Sequence, residues 1–276
     1  MPQSPVRITR LAVAPLLVLL AVLGTAAPGG AATRAGASAH DAAARHASRS
    51  HPIRPGITIA ISSQKCEAGA VLRQGHDVYL AIPATCTGTD EGTGGDYCSE
   101  AAIPVGSYAH ARPPLRHRAH LVYSSFRTMQ ARRHTGGARC NNNNFALLKL
   151  SRSDARRAAP GIPSIGGPSG TVGHAPADGR SVAAYIDGAR PGRLTATSPS
   201  GWRYDTTLTG TVDKQALGAP VVLSDHRCLG MVSILPSSAT LLGMSSQTTV
   251  VTDLGKEIRY ARSVKRFRHL SLWTAG

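Results

Sequence analysis

Short segments rich in β-branched and aliphatic residues, each bounded by Gly, Pro, Asp or Ser, recur between residues 57 and 251. Segments with this composition and these boundaries are typical of β-strands. No internal repeat accompanies them. The pattern predicts an all-β protein with strands at Ile57–Ser62, Gly69–Arg73, Val78–Ile82, Phe145–Leu150, Ser181–Ile186, Trp202–Leu208, Ala219–Leu223, Gly230–Leu235 and Thr248–Val251.

A helix is predicted after the last of these strands. Leu254, Ile258 and Ala261 have the spacing that places apolar side chains on one helical face. Asp253 directly precedes them and is a favoured N-cap residue. The C-terminal segment is therefore predicted to turn helical after Asp253.

The N-terminal residues have the features of a secretory signal. Arg7 and Arg10 precede an apolar run from Leu11 to Gly24, and small residues follow through Ala32. The run of about fourteen residues is short for a membrane span, which favours a cleaved signal peptide over a retained signal anchor. We therefore expect a secreted, extracellular protein.

These features divide the chain into three parts. Residues 1–32 are predicted to be the signal peptide. Residues 33–55 are rich in Ala, Arg, Ser and His without apolar periodicity, as in a disordered linker or pro-segment. Residues 56–276 are predicted to form one folded domain with no transmembrane span, because no second apolar stretch of spanning length follows.

Three motifs occur in a fixed order within this domain. The run Tyr79–Cys86 (Tyr-Leu-Ala-Ile-Pro-Ala-Thr-Cys) follows Cys66, the run Asn143–Leu150 reads Asn-Asn-Phe-Ala-Leu-Leu-Lys-Leu, and Gln215–Val221 reads Gln-Ala-Leu-Gly-Ala-Pro-Val. They resemble the segments around the catalytic histidine, aspartate and serine of secreted bacterial trypsin-like serine proteases, which belong to the chymotrypsin superfamily. The resemblance extends from about Cys66 to the C-terminus. It implies two antiparallel six-stranded β-barrels and a C-terminal helix.

The residues that such an enzyme uses for catalysis are replaced. Thr85, Asn144 and Leu217 stand at the histidine, aspartate and serine positions. Threonine cannot act as a general base near neutral pH, and leucine has no hydroxyl to attack a carbonyl. Asparagine carries no charge to stabilise an imidazolium. The resemblance therefore implies a degenerate triad with no catalytic residue at the usual positions.

The loop before the serine position also departs from the family pattern. Gln215 replaces the glycine whose backbone N–H, with that of the serine, binds the oxyanion of the reaction intermediate. Ala216 replaces an acidic residue that helps to hold this loop by a buried ion pair. Two hypotheses follow. The favoured one is a catalytically inactive homologue that binds an extracellular protein or peptide, and the alternative is an active serine-type endopeptidase or hydrolase with non-standard catalytic residues on the same fold.

Five cysteines in an exported chain indicate disulfide bonds. The resemblance implies the pair Cys66 and Cys86, which both match the family, and the pair Cys98 and Cys140, which lie in segments similar to family loops. Cys228 is then left over in an apolar segment. A buried, inert thiol is the favoured interpretation of Cys228 over a reactive or intermolecular one.

The chain is strongly basic, with 31 Lys and Arg residues, 15 Asp and Glu residues and a formal net charge of +16. Clustered arginines would attract a polyanionic surface, whereas a general excess of charge serves only solubility. Both interpretations stay open. Few aromatic residues interleave with the basic ones, so no sequence-specific nucleic-acid binding is predicted. The candidate anion-binding residues are Arg112, Arg116, Arg118, Arg132, Arg133, Arg266 and Arg268.

No cofactor or metal is predicted. No glycine-rich phosphate loop or dinucleotide fingerprint follows a predicted strand. His117, His120 and His134 lie in a basic, loop-like region whose charge disfavours a bound cation.

Overall fold

The predicted strands form two antiparallel sheets in the computed structural model, which describes residues 52–61, 63–89, 96–110, 114–234 and 246–275. These residues belong to one compact unit, Ser50–Gly276. The fold is mostly β, as expected for a trypsin-like double barrel with a C-terminal helix. The strands in the described residues are β1 (Thr58–Ile61), β2 (Gln64–Glu67), β3 (Ala70–Gln74), β4 (Asp77–Ile82), β5 (Tyr108–His110), β6 (Ala119–Ser124), β7 (Ala146–Lys149), β8 (Gly170–Thr171), β9 (Ser181–Tyr185), β10 (Ala189–Thr197), β11 (Arg203–Thr209), β12 (Pro220–Leu223), β13 (Arg227–Ile234), β14 (Ser246–Asp253) and β15 (Ser271–Leu272).

The N-terminal sheet has eight strands in the order β15-β3-β4-β7-β6-β5-β1-β2. Strands β2 and β3 are joined directly by Ala68 and Gly69. The Ala68 N–H donates to the carbonyl of Ile57, which precedes β1, and the Gly69 N–H donates to the carbonyl of Ala81 in β4. Ala68 and Gly69 are consecutive residues, yet they bond to segments that lie far apart in the sheet order. The sheet is therefore curled into a barrel-like shape.

The C-terminal sheet forms a closed six-stranded barrel. Its order is β12-β9-β10-β11-β14-β13, and an additional pairing of β12 with β13 completes the circle. The two-residue strand β8 adds to β13 outside this circle in parallel. Closure removes the unpaired edges that an open sheet would expose.

Apolar side chains fill both barrels. One cluster within the first barrel includes Ile59, Leu80 and Leu148, and a cluster within the second includes Leu194 and Val251; all five are fully buried. A third cluster combines residues of β3, β4, β13 and the C-terminal helix. Residues of both barrels and of the C-terminal helix therefore pack together in this third cluster.

Four α-helices occur in the described residues: α1 (Ser125–Ala131), α2 (Gly137–Asn142), α3 (Arg152–Ala155) and α4 (Leu254–Arg262). The C-terminal helix α4 begins where the sequence predicted it. The Asp253 carboxylate caps it by accepting from the Lys256 N–H at 2.7 Å. Leu254, Ile258 and Ala261 are buried on the face that packs against the barrels.

The N-terminal region is described only from Pro52 onwards. The predicted signal peptide and most of the predicted linker lie outside the described residues. Ile53 is fully buried, and its N–H donates to the carbonyl of Arg157 at 3.1 Å, so packing against the domain begins before residue 56. Within the described parts of the chain, no helix is long and apolar enough to cross a membrane.

Disulfide bonds, which the cysteine content predicted, are present. Cys66 is bonded to Cys86 and Cys98 to Cys140, with sequence separations of 20 and 42 residues. The Cys228 thiol is free and buried, and burial raises its pKa to about 12. A thiol that does not ionise near neutral pH is a poor nucleophile.

Removing the Cys66–Cys86 bond by the double substitution Cys66→Ala, Cys86→Ala should lower the free energy of unfolding by about 3 kcal/mol, because the unfolded chain regains loop entropy. Cys228→Ala is the matched control and should cost only about 1 kcal/mol for a lost buried sulfur. Urea unfolding of the purified proteins measures both values. Equal losses would contradict the structural role given to the disulfide.

Candidate functional site

Two of the three positions at which the resemblance predicted a degenerate triad meet between the barrels. Thr85 lies on the 3-10 turn Ala84–Thr87, directly after β4, and Asn144 lies just before β7. Strands β4 and β7 are paired, so their ends bring Thr85 and Asn144 together. The Cys86 disulfide holds the same turn against β2.

The Asn144 side chain is fully buried and every donor on it is used. Its Oδ1 accepts from the Thr85 backbone N–H at 2.8 Å. Its Nδ2 donates to Thr85 Oγ1 at 3.2 Å and to Ser233 Oγ at 2.7 Å. Because the Thr85 N–H requires an acceptor, the orientation of the amide is fixed. Ser233 lies in β13, so the amide links the first barrel to the second.

The Asn144 backbone is held by the C-terminal helix. Its N–H donates to Glu257 Oε1 at 3.2 Å. Glu257 is fully buried, and this burial raises the pKa of its carboxyl well above the ordinary value. Burial therefore favours the protonated form of the carboxyl next to Asn144.

Leu217, which the resemblance assigns to the nucleophile position, packs against the first barrel. Its half-buried side chain lies against the core cluster that contains Ala84 and Cys86. Its carbonyl accepts from the Glu67 N–H at 2.7 Å. The following residue, Gly218, has φ +95°, and an added Cβ there would lie 2.1 Å from the Glu67 carbonyl oxygen, so only glycine fits.

The loop that would bind an oxyanion is folded into a 3-10 turn, Lys214–Ala216. The Gln215 N–H donates to the Asp213 carboxylate at 2.9 Å, and the Leu217 N–H faces the Lys214 carbonyl at 3.5 Å. Ala216 is fully buried. The two N–H groups expected to stabilise an oxyanion are thus directed at acceptors within the loop, and one of these acceptors is itself a carboxylate.

Glu67 is a further residue of this site that the sequence analysis did not single out. Its side chain is 5% exposed, and Oε2 has no hydrogen-bond partner among the described residues. Burial raises the pKa of Glu67 to about 8, with smaller contributions from the negative charges of Asp187 and Asp213. The available signal was an acidic residue between Cys66 and the small and apolar residues 68–72.

The arrangement opposes acyl-transfer chemistry. A carbonyl bound at Leu217 would meet a methyl group where an attacking hydroxyl is needed. Negative charge developing on its oxygen would lie near the Asp213 carboxylate rather than near free N–H donors. The geometry instead provides a half-buried apolar side chain at the junction of two rigid barrels.

The candidate basic residues near β5 and β6 occupy the surface of the first barrel. The Arg118 guanidinium lies 5.7 Å from the centre of the Tyr108 ring. Arg116 is exposed, and its N–H donates to the Asp154 carboxylate at 3.1 Å. Arg112 lies outside the described residues.

The other candidate arginines lie near helix α1 and the C-terminal segment. Arg132 donates to the Ser263 hydroxyl at 2.7 Å and to its carbonyl at 3.0 Å. Arg133, Arg266 and Arg268 are exposed. Binding of anions by any of these side chains stays a prediction.

One group of side chains in the described residues has the proximity of metal ligands, namely Asp96, Cys98 and Cys140. Both sulfur atoms are bonded to each other in a disulfide. They are therefore not thiolates, the form in which cysteine binds metals.

Comparison with solved structures supports the double-barrel fold. The protein is similar to protease A from Thermobifida fusca, with a TM-score of 0.51 and 14% sequence identity over 81% of this chain and 99% of that one. A glutamic-acid-specific serine protease matches with a TM-score of 0.45 and 12% identity over 80% of this chain and all of the other. An α-lytic protease homologue matches with a TM-score of 0.44 and 16% identity over 76% and 97% of the two chains.

No protein-family model matches the sequence, and no curated protein matches it either. The likeness to solved serine proteases at such low identity concerns the fold alone. The chemistry of the site must therefore be argued from its own residues.

The raised pKa of Glu67 predicts a stability that falls as pH rises. Between about pH 4.5 and about pH 8 the native state keeps a proton that the unfolded state has lost. One such group contributes a slope of up to about 1.4 kcal/mol per pH unit. Glu67→Gln should make the slope shallower in urea unfolding series across this range, although Glu257 still contributes.

The substitution Asp213→Asn provides a second test of the pH dependence of stability. Removing one of the negative charges near Glu67 should move the upper end of the pH dependence to lower pH. Parallel stability profiles for the wild type and Glu67→Gln would show that Glu67 does not hold its proton.

Proposed function

We propose that this chain is a secreted pseudoprotease: a catalytically inactive homologue of trypsin-like serine proteases that binds an extended peptide or protein segment between its barrels. The observation that carries the proposal is the set of hydrogen bonds around Asn144. These bonds connect Thr85 and Ser233 through a neutral amide where an enzyme needs a charged, proton-shuttling pair.

The hydroxyl groups near this position are not placed as activated nucleophiles. Thr85 Oγ1 and Ser233 Oγ both accept a hydrogen bond from Asn144 Nδ2. Among the described residues, neither hydroxyl has an imidazole as a hydrogen-bond partner. A serine or threonine hydroxyl attacks a carbonyl only when a base takes its proton. Asparagine is not a base, so neither hydroxyl is activated by the Asn144 side chain that it contacts.

The oxyanion loop supports the same conclusion independently. Its Gln215 N–H is bonded to the Asp213 carboxylate, so a substrate oxygen would have to displace a negatively charged acceptor. Removal of a single oxyanion-hole donor from a serine protease costs about 100- to 1,000-fold in rate. Restoring the triad side chains alone would therefore leave the site impaired.

Binding is favoured because the frame of the cleft is intact. The hydrogen bond from Asn144 to Ser233 and the backbone bond from Glu67 to Leu217 link the two barrels, and the Cys66–Cys86 disulfide stabilises the first-barrel side of the site. Leu217 presents part of an apolar side chain at their junction. An extended segment that adds as a strand gains backbone hydrogen bonds, and an apolar side chain supplies contact area.

Secretion is supported by two independent features. The N-terminal sequence has basic residues followed by a short apolar run and small residues. Two disulfides occur in the folded domain, as is typical of proteins exported to oxidising environments.

Wild-type protein should neither react with a fluorophosphonate probe nor cleave casein. The triple substitution Thr85→His, Asn144→Asp, Leu217→Ser should react only slowly, because the oxyanion loop keeps its closed form. Adding Asp213→Ala and Gln215→Gly should raise the labelling rate by about 100-fold, the effect of a restored oxyanion donor. The rate is measured from probe fluorescence in denaturing gels, with circular dichroism as the control for folding.

Equal labelling of the triple and the extended variant would show that the loop is not limiting. Labelling of the wild type that disappears when one hydroxyl residue is replaced would instead favour the non-standard hydrolase.

Leu217→Arg should weaken binding of an extended chain by about tenfold, because a buried apolar contact is replaced by a charge. An extended peptide without charged side chains serves as the probe, so that it does not bind the basic exterior, and fluorescence anisotropy reports its affinity at low and high salt. Val105→Arg is the matched control, since Val105 is 48% exposed and lies on the first-barrel surface. An affinity that depends steeply on salt, or that is equally reduced in both variants, would contradict binding in the cleft.

A further inference from the structure

The outer face of the first barrel carries a row of polar side chains set by strand register. Tyr108 in β5 is paired with His120 in β6, and His120 is paired with Lys149 in β7. Their neighbours Ala109, Ala119 and Leu148 are buried, so the three polar side chains point outward. The Tyr108 and His120 rings are in contact, with centroids 4.5 Å apart. Because the row stands on a sheet, its spacing is rigid.

A buried carboxylate fixes the loop that flanks this row. Asp154 in helix α3 is 1% exposed and accepts from the backbone N–H groups of Arg116 and His117, both at 3.1 Å. It also accepts from the Ser151 hydroxyl at 3.2 Å. These bonds hold the loop before β6 against helix α3, and so hold the next residue, Arg118, at the edge of the row.

The row and this loop line a cavity of about 690 Å³, which adjoins a second cavity of about 580 Å³. The two share His76, Asp77 and Arg152 in their linings, so they form one elongated depression. We call it the basic trough and define it by Arg73, His76, Arg118, Lys149, Arg152 and Arg156.

The charged side chains that line the trough are mostly positive. Among the described residues that line it, five are Arg or Lys and one, Asp77, is a carboxylate. Asp77 is paired with Lys149 at 2.7 Å, and this hydrogen bond lowers the pKa of Asp77. Four guanidinium groups therefore have no carboxylate partner in the trough. The Arg73 guanidinium is stacked on the Trp273 ring, which orients it before any ligand arrives.

We propose that the basic trough binds a linear polyanion that carries tetrahedral phosphate or sulfate groups along its chain. Guanidinium groups offer forked donors that match such groups. The charges extend along two joined, open cavities, so a chain with repeated charges reaches more of them than a single small anion. The inter-barrel residues Thr85, Asn144 and Leu217 do not line either cavity, so this site is separate from the proposed peptide cleft.

The proposal is tested with inorganic polyphosphate and, in a parallel arm, heparin oligosaccharides, using isothermal titration calorimetry of the full-length protein over a range of salt concentrations. The double substitution Arg118→Gln, Arg152→Gln should weaken binding by at least about tenfold and reduce the slope of log affinity against log salt by about 2. Binding of only one probe identifies the source of the anionic groups. Binding of neither overturns the proposal.

Arg193→Gln, Arg259→Gln is the matched control, because it removes the same charge from exposed positions that lie outside the trough and are not among the candidate anion-binding residues. It should change affinity by less than about threefold. Equal losses in the two double variants would show that net charge alone attracts the polyanion, and would overturn the trough as a site.

The substitution Asp154→Asn distinguishes a preorganised site from general electrostatic attraction, because the two predict opposite changes in binding affinity. It removes a negative charge, so net charge alone predicts tighter binding. If Asp154 positions the loop that carries Arg118, binding should instead weaken by about tenfold, since an amide cannot accept from both N–H groups as the carboxylate does. Thermal melting checks that the variant is folded, and tighter binding by a folded variant would overturn the positioning role.

Discussion

The hydrogen bonds of the Asn144 side chain are the contact on which the organisation of the site depends. This one buried amide joins the turn after β4, through Thr85, to strand β13, through Ser233. Its backbone joins the same point to helix α4 through Glu257. A buried polar network stabilises one arrangement only when its members are satisfied, and here all donors of the amide are used. Asn144 thereby connects both barrels and the helix at one point.

The substitutions at this site are physically coupled. A carboxylate at position 144 would be fully buried, and the neighbouring Thr85 side chain offers no positive charge to compensate it. An amide avoids that cost and keeps the acceptor that the Thr85 N–H requires. The same preference for neutral groups is seen in Glu67 and Glu257, whose pKa values are raised by burial. Charge is concentrated instead on the exterior, where the basic trough lies.

Much of the fold was predictable from strand composition, and the omissions have identifiable causes. Strand β4 begins one residue before the predicted segment, and the C-terminal helix follows Asp253 as predicted. Strand β10 was missed because most of its residues are at least partly exposed and it contains Pro191 and Gly192, which break the apolar alternation. An added Cβ at Gly192 would lie 2.2 Å from the Thr207 carbonyl oxygen, so its glycine permits close strand pairing rather than a turn.

The sequence alone determined which chemical groups Thr85, Asn144 and Leu217 offer, because a hydroxyl, an amide or an alkyl side chain is a property of the residue itself. Only the tertiary structure decided how the remaining groups are used. The burial of Glu67 and the gathering of arginines from separate segments of the chain both depend on which segments meet in space. Such contacts arise from packing between distant parts of the chain, and local composition carries no record of them.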